Sequence, residues 1–153
     1  INMKKKFIDL YMDWAKRSAE LSHAKRRLVG AVIVKDDTVI SYGYNGMPAG
    51  WDNDCEDHVL KKVGVAPDGH ELVELELKTK PEVLHAESNA IAKLAKSTNS
   101  GAGADMFVTT SPCLDCAKLV YQSGINSVYY RNIYRSEDGL KFLEKAGVQV
   151  EKI

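Results

Sequence analysis

His85, Glu87, Cys113 and Cys116, carried by the segments LHAES and TSPCLDC, are the side chains whose types and spacing point most directly to chemistry. Cysteines three residues apart share one face of a helix, where their sulfurs can pinch a single ion. With His85 they make three protein ligands of the kinds zinc prefers. A structural zinc is normally closed by a fourth protein ligand, whereas three ligands leave one tetrahedral position for water, the arrangement of a catalytic site. Glu87 adds an acid able to move protons beside the metal. His85 and Glu87 are two apart, and at about 100° per residue they point away from each other on a helix. They converge only if the ion lies beyond the helix tip, with His85 near the first turn and Glu87 just inside it. The plain alternative is a zinc ribbon or an incidental cysteine pair in a reduced interior. The second CxxC that a ribbon would use is absent.

The elements that must position these residues are legible around them. Pro81 ends the preceding segment, and from Val83 onward Ala86, Ala90, Ile91, Leu94 and Ala95 have helical spacing, which predicts a helix over 83–97. Ser111 reads as the N-cap and Pro112 as the first position of a second helix reaching 123, with Cys113 and Cys116 in its first two turns. Two helix N-termini then face one metal, and their partial positive ends favour thiolate over thiol. Upstream, Phe7, Leu10, Tyr11, Trp14 and Leu21 form an apolar stripe on a first helix, read as core packing. Val29 to Val34 and Val39 to Tyr44 read as strands joined through Lys35, Asp36 and Asp37. Met106 to Thr110 reads as a strand running into the second zinc helix. Ser127 to Tyr130, a helix around 137–146 and a strand from Val148 to Lys152 follow, with Gly124 and Gly147 where helices end. Strands alternating with helices imply parallel pairing in a sheet covered on both faces, after an antiparallel opening hairpin. Met47 to Pro81 reads as a long loop, of the kind that is usually functional or partly disordered.

At 153 residues the chain reads as one domain, 1–153, with a long insert at about 47–81, and it is large enough to bury a core without disulfides. Lys plus Arg and Asp plus Glu both number 21, and a net charge of zero argues against a large nucleic-acid footprint. Three cysteines, two of them assigned to zinc, fit a reducing compartment. No signal-peptide pattern or apolar stretch of membrane-spanning length is present, so a soluble cytoplasmic protein is expected. Ile1 and Asn2 precede the first methionine, Met3, and stay outside the fold reading.

From its first strand to its last the chain resembles the zinc-dependent cytidine and deoxycytidylate deaminases, and within them the deoxycytidylate (dCMP) deaminases of bacterial and phage type. LVGAVIVKDDTVISYGYNGMPAG is similar to that family's opening hairpin and glycine-rich loop, LHAESNAI to its first zinc helix and TTSPCLDCAKLVYQSGI to its second. The zinc motif alone also fits tRNA adenosine, riboflavin-pathway and guanine deaminases. The GYNGMP loop at 43–48 and the long insert before HAES select the dCMP branch.

The resemblance implies a three-layer α/β/α cytidine-deaminase-like fold, with a central mixed five-stranded sheet and helices on both faces. It implies zinc on His85, Cys113 and Cys116, lowering the pKa of a water toward neutrality. Glu87, unligated, takes the water proton, passes it to N3 of cytosine and later protonates the departing amino group. The products are dUMP, for dTMP synthesis, and ammonia. The resemblance further implies that the Ala86 amide reads the base carbonyl and that the Ser111 carbonyl receives the amino group, since backbone groups at helix starts lack intrahelical partners. Asn45 is the candidate for the sugar, and Tyr130 and Arg131 for the phosphate, with Arg26 a further candidate; solvated surface charge is the alternative for the arginines.

Gly43, Tyr44, Asn45 and Gly46 have a bland reading as turn chemistry, since Asn-Gly tolerates positive φ. The resemblance places this loop near a regulatory pocket for dCTP, an activator carried with Mg2+, and dTTP, an inhibitor, in a hexamer. Some relatives carry a second, structural zinc in the insert, which makes Cys55, His58 and His70 candidate ligands, with His23 as a fourth; a free cysteine in an apolar loop is the default. Competing functions are deamination of free cytidine, deoxycytidine or tRNA adenosine, the last expected to show a basic stripe, and a non-catalytic zinc-binding module, which would have no need of Glu87.

Overall fold

The computed structural model describes residues 3–153, and Ile1 and Asn2 lie outside the described residues. The chain begins with α1 (Lys5–Ala19), followed by β1 (Gly30–Lys35) and β2 (Thr38–Tyr44). These strands pair antiparallel through a turn at Asp36 and Asp37, whose φ angles of 50° and 58° fit the left-handed geometry that two-residue hairpin turns favour. Next come β3 (Glu56–Val65) and β4 (Glu71–Thr79), then α2 (Ala86–Ala95), β5 (Asp105–Thr110), α3 (Leu114–Gln122), β6 (Ser127–Asn132), α4 (Asp138–Lys145) and β7 (Gln149–Lys152). Gly124 and Gly147 end α3 and α4 with φ of 82° and 87°, the left-handed residue that commonly closes a helix.

The main sheet runs β2-β1-β5-β6-β7. β1 is antiparallel to both β2 and β5, whereas β5, β6 and β7 are mutually parallel through crossovers over α3 and α4. The expected mixed five-stranded sheet is therefore present. Side-chain alternation sorts its two faces. Ala31, Ile33, Met106, Val108 and Val128 pack with Ala86 and Ala90 of α2, Ala117 and Val120 of α3, and Leu143 of α4. On the other face Val32, Val34, Phe107 and Tyr129 meet Tyr11, Met12 and Ala15 of α1. Helices on both faces make three layers.

Two expectations need correction. The stripe read on the first helix is its buried line only in part: Tyr11 is buried and Phe7 packs against the core, but Leu10 and Trp14 are 47% and 49% exposed and Leu21, beyond the end of α1, 47%, while Met12, Ala15, Ser18 and Ala19 are buried instead. Small residues face the sheet because α1 approaches it closely, and bulk at those positions would hold it off.

The segment read as a loop over 47–81 contains a two-stranded antiparallel sheet of β3 and β4. Its register sets His58 against Leu77 and Leu60 against Leu75 on one face, and Asp57 against Lys78 and Lys61 against Glu74 on the other. Opposite charges across a pair support such a ladder by a few tenths of a kcal/mol, ~0.2–1 each.

Candidate active site

The two ends that carry the motif are built alike. His85 is the N-cap of α2 and Cys113 the N-cap of α3, and both have extended backbone, with φ/ψ of −80°/153° and −67°/170°. An N-cap residue lies outside the helical repeat, so its side chain projects past the helix tip. Both helices therefore begin one residue or more later than the sequence suggests, and Cys113, not Ser111, caps α3. Its sulfur accepts the Cys116 amide at 3.5 Å. The Ser111 hydroxyl is used elsewhere, accepting the Tyr134 amide at 2.7 Å.

The result is a three-ligand cluster, His85, Cys113 and Cys116, whose donor atoms all lie within 4.8 Å of one another. His85 Nδ1 stands 3.6 Å from Cys113 Sγ and 3.4 Å from Cys116 Sγ. Two ligands on one tetrahedral zinc, at ordinary Zn–N and Zn–S bond lengths, are separated by about 3.6 Å. Both histidine–cysteine separations fit one zinc, and the two sulfurs lie within 4.8 Å of each other. The cluster supplies three ligands, which is the count of a catalytic site with one position open.

Electrostatics agree with the geometry. A hydrogen bond from the Cys116 thiol, helped by His85 and the Cys116 amide, outweighs burial and lowers the Cys113 thiol to about 4. Cys116 is pushed up, first by sharing its proton with Cys113, then by burial and the nearby Glu87. His85 is raised chiefly by its hydrogen bond to Cys113. One thiolate is thus already favoured before metal arrives.

Glu87 is 4% exposed on the first turn of α2. Burial raises its carboxyl from 4.5 to about 7, against the pull of its own backbone amide and of His85. It also meets the Cys116 thiol. A buried carboxylic acid raised toward neutrality beside this three-ligand cluster is suited to take and return a proton.

The glycine-rich loop supports this site from below. Asn45 accepts the Val29 amide at 2.9 Å and donates to the Arg27 carbonyl at 2.9 Å. Gly46 and Leu84 form an isolated antiparallel bridge with hydrogen bonds of 3.1 and 2.8 Å, which fixes the residue just before His85. Asn89, one turn beyond His85, donates to the Tyr44 carbonyl at 2.8 Å. Neither Asn45 nor Gly46 has positive φ, so the expected Asn-Gly turn is not how β2 ends. Leu84 and Asn89 are positioning residues that sequence reasoning missed; the only signal was Asn89 standing four residues after His85, on the same helix face.

The remaining expected residues are dispersed. Ala86, fully buried, follows the α2 cap, and Ser111 is buried at the end of β5. Tyr130 packs into the core on the α2 side. Arg131 follows it in β6, and alternation sends it to the opposite face, with its Nε buried and without a hydrogen-bond partner among the described residues. Arg26 is exposed and reaches the Thr79 hydroxyl at 3.4 Å, while its amide and that of Lys25 bind Glu56. Cys55 is buried, but His23 and His58 are exposed and His70 pairs with Asp68, 82% exposed at the tip of the β3–β4 hairpin. The structure does not bring Cys55, His58 and His70 together, and the candidate second zinc has no ligand cluster among the described residues.

A family model described as the cytidine and deoxycytidylate deaminase zinc-binding region matches residues 4–132. The chain belongs to this family. The deoxycytidylate deaminase of Enterobacteria phage T4 is 37% identical over 150 residues, covering 80% of this chain and 77% of its own. Human deoxycytidylate deaminase is 38% identical over 131 residues, covering 80% and 66%. A crystal structure of dCMP deaminase from the cyanophage S-TIM5, in complex with dCMP and dUMP, superposes with a TM-score of 0.84 at 41% identity, over 99% of this chain and 100% of that one. The deaminase fold and its zinc motif thus coincide with the cluster around His85.

Proposed function

We propose that this chain is a zinc-dependent hydrolase that converts dCMP to dUMP and ammonia. The observation that carries the reading is the buried, near-neutral Glu87 against the three-ligand cluster, in a chain similar over its whole length to an enzyme solved with dCMP and dUMP. A zinc module with a purely structural role has no use for such an acid.

Zinc, when bound, makes a water nucleophilic enough at neutral pH to add at C4 of cytosine. Glu87 takes that water's proton and delivers it to N3, then relays the proton left on the new C4 oxygen to the departing amino nitrogen, so that the C4 carbonyl forms as ammonia leaves. The Ala86 amide, unpaired inside α2 because it lies in the first turn, donates to the base carbonyl, and the Ser111 carbonyl accepts from the amino group. Asn45 can still read the sugar: its amide keeps one lone pair and one hydrogen after binding Val29 and Arg27. For the 5′-phosphate, Arg131 is favoured by its unpartnered buried Nε, with Tyr130 and Arg26 as further contributors. Regulation by dCTP with Mg2+ and by dTTP at the 43–46 loop, a homo-hexamer and a cytoplasmic setting complete the reading; the family resemblance supports them. No described helix is long and apolar enough to cross a membrane.

The test is a steady-state ultraviolet assay of the zinc-loaded protein against dCMP, deoxycytidine and dCTP, with and without dCTP or dTTP as effector. Loss of the cytosine band with dCMP alone, raised by dCTP and lowered by dTTP, is the expected result. No turnover of any cytosine nucleotide by a zinc-loaded chain would overturn the substrate and turn attention to tRNA or purine substrates.

A further inference from the structure

Cys113 stands outside α3 as its cap, with extended φ/ψ, and the helix holds it only from one side, through the Ala117 amide on its carbonyl at 2.9 Å and the Cys116 amide on its sulfur. The segment that leads into it is held by other elements. Ser111 donates its amide to Asn132 at 2.8 Å and accepts the Tyr134 amide on its hydroxyl at 2.7 Å, which secures one side of the TSPC segment to the end of β6. The other side is covered by α4. A Cβ at Gly139, in the first turn of α4, would lie 2.1 Å from the Pro112 carbonyl oxygen and 2.9 Å from both the carbon and the oxygen of the Cys113 carbonyl. All three atoms are backbone, and real Cβ atoms essentially never approach within 3.0 Å, so any other residue would displace either α4 or the zinc motif. α4 is in turn held to the core by Leu143, fully buried beside Val120 of α3.

We propose that Gly139 is a positioning residue of the metal centre, acting through Cys113. Having no side chain, it lets α4 seat directly on the Pro112–Cys113 peptide, and that seat sets where the Cys113 sulfur stands relative to His85 and Cys116. The inference rests on the zinc reading above. It assigns a function to α4, an element that contributes no ligand.

Cobalt substitution of the full chain gives a readout other than turnover, because visible absorption of Co(II) reports thiolate coordination and its geometry. Gly139→Ala should change that spectrum and lose metal to a chelator ~10- to 100-fold faster than the unmodified chain, the range typical when a residue supporting a ligand is altered. Gly30→Ala is the control: its Cβ would meet the Ala15 carbonyl oxygen at 2.0 Å, an equally severe clash between α1 and β1, on the face away from α3 and α4. It should lower Tm while leaving spectrum and release rate unchanged. If either glycine variant fails to fold, Leu143→Ala and Met12→Ala provide the same contrast by loosening, since both side chains are fully buried, one under α4 and one under α1. Faster metal loss in Leu143→Ala than in Met12→Ala supports the role. Equal release rates within each pair, from a wild-type chain that binds Co(II), would overturn it. A wild-type chain that takes up no Co(II) would instead overturn the metal reading itself.

Discussion

Alanine at position 43 should disable the site although Gly43 is neither a ligand nor an acid. A Cβ there would lie 2.3 Å from the Ala86 carbonyl oxygen and 2.7 Å from the Ala90 amide nitrogen, both backbone atoms of the first zinc helix. Ordinary contact begins at 3.4 Å, so the first turn of α2 must retreat by about 1 Å from β2. His85 and Glu87 ride on that turn, while Cys113 and Cys116 belong to α3 and stay. A misplacement of about 1 Å at reacting groups costs on the order of 100-fold in rate. Overpacking also destabilises, by roughly 1–3 kcal/mol, so the rate must be measured on protein shown to be folded. The assay is kcat for dCMP per bound zinc, at a temperature where circular dichroism shows the variant native, beside Gly64→Ala, whose nearest new contact is an ordinary 3.9 Å to Leu72. Gly64→Ala should behave as the unmodified enzyme and Gly43→Ala should lose about two orders of magnitude. A folded, zinc-loaded Gly43→Ala enzyme within twofold of normal kcat would refute the claim that β2 sets the position of α2.

Glu87→Gln should abolish deamination, by ~10²-fold or more, and leave zinc in place; metal analysis alongside the ultraviolet assay would expose the error if zinc were lost or the rate kept. Arg131→Ala should raise KM for dCMP about tenfold, roughly 1.4 kcal/mol, and leave deoxycytidine untouched, so equal effects on both substrates would remove Arg131 from the phosphate site. Zinc uptake should release protons near pH 7, because Cys116, raised by its shared proton with Cys113, keeps that proton until the metal displaces it. Apparent zinc affinity should therefore rise with pH, and calorimetry in buffers of different ionisation enthalpy showing no proton release would contradict this. Metal content should be one zinc per chain and unchanged in Cys55→Ser, whereas loss of a second equivalent in that variant would restore a site in the insert.

What could be read from the sequence, and what could not, divides by the range of the interaction. The ligands and the acid were legible because their grouping is local: two helix starts, a proline before the first cysteine and fixed spacings around them. Cys113 displaced Ser111 as the cap because a sulfur three residues before the Cys116 amide can bond it, and the Ser111 hydroxyl had a distant partner, Tyr134, that no window around it contains. The β3–β4 hairpin escaped for a different reason. Among the described residues its strands pair only with each other, and Lys61-Lys62 and the register shift before Gly64 break the alternation that would mark a half-buried strand. On the first helix, counting large apolar residues found Tyr11 and Phe7 but also picked the exposed Leu10, Trp14 and Leu21, whereas close approach to the sheet selects for Ala15 and Ala19.

The two glycines make the same point about the chemistry itself. His85, Cys113 and Cys116 define which ion binds, but donor separations of 3.4 and 3.6 Å require two helices from different parts of the chain to start at one point. Nothing in either helix specifies that distance. It is set where backbone meets backbone: β2 against α2 at Gly43, and α4 against Pro112–Cys113 at Gly139. A methyl group at either contact changes no ligand, yet it moves one half of the site relative to the other. Placed on two helix starts that lack these seats, the same motif would keep its ligand types and lose the spacing that lets them share one ion. The local sequence selects the metal, and the tertiary contacts of two side-chain-free residues determine whether the acid stands close enough to use it.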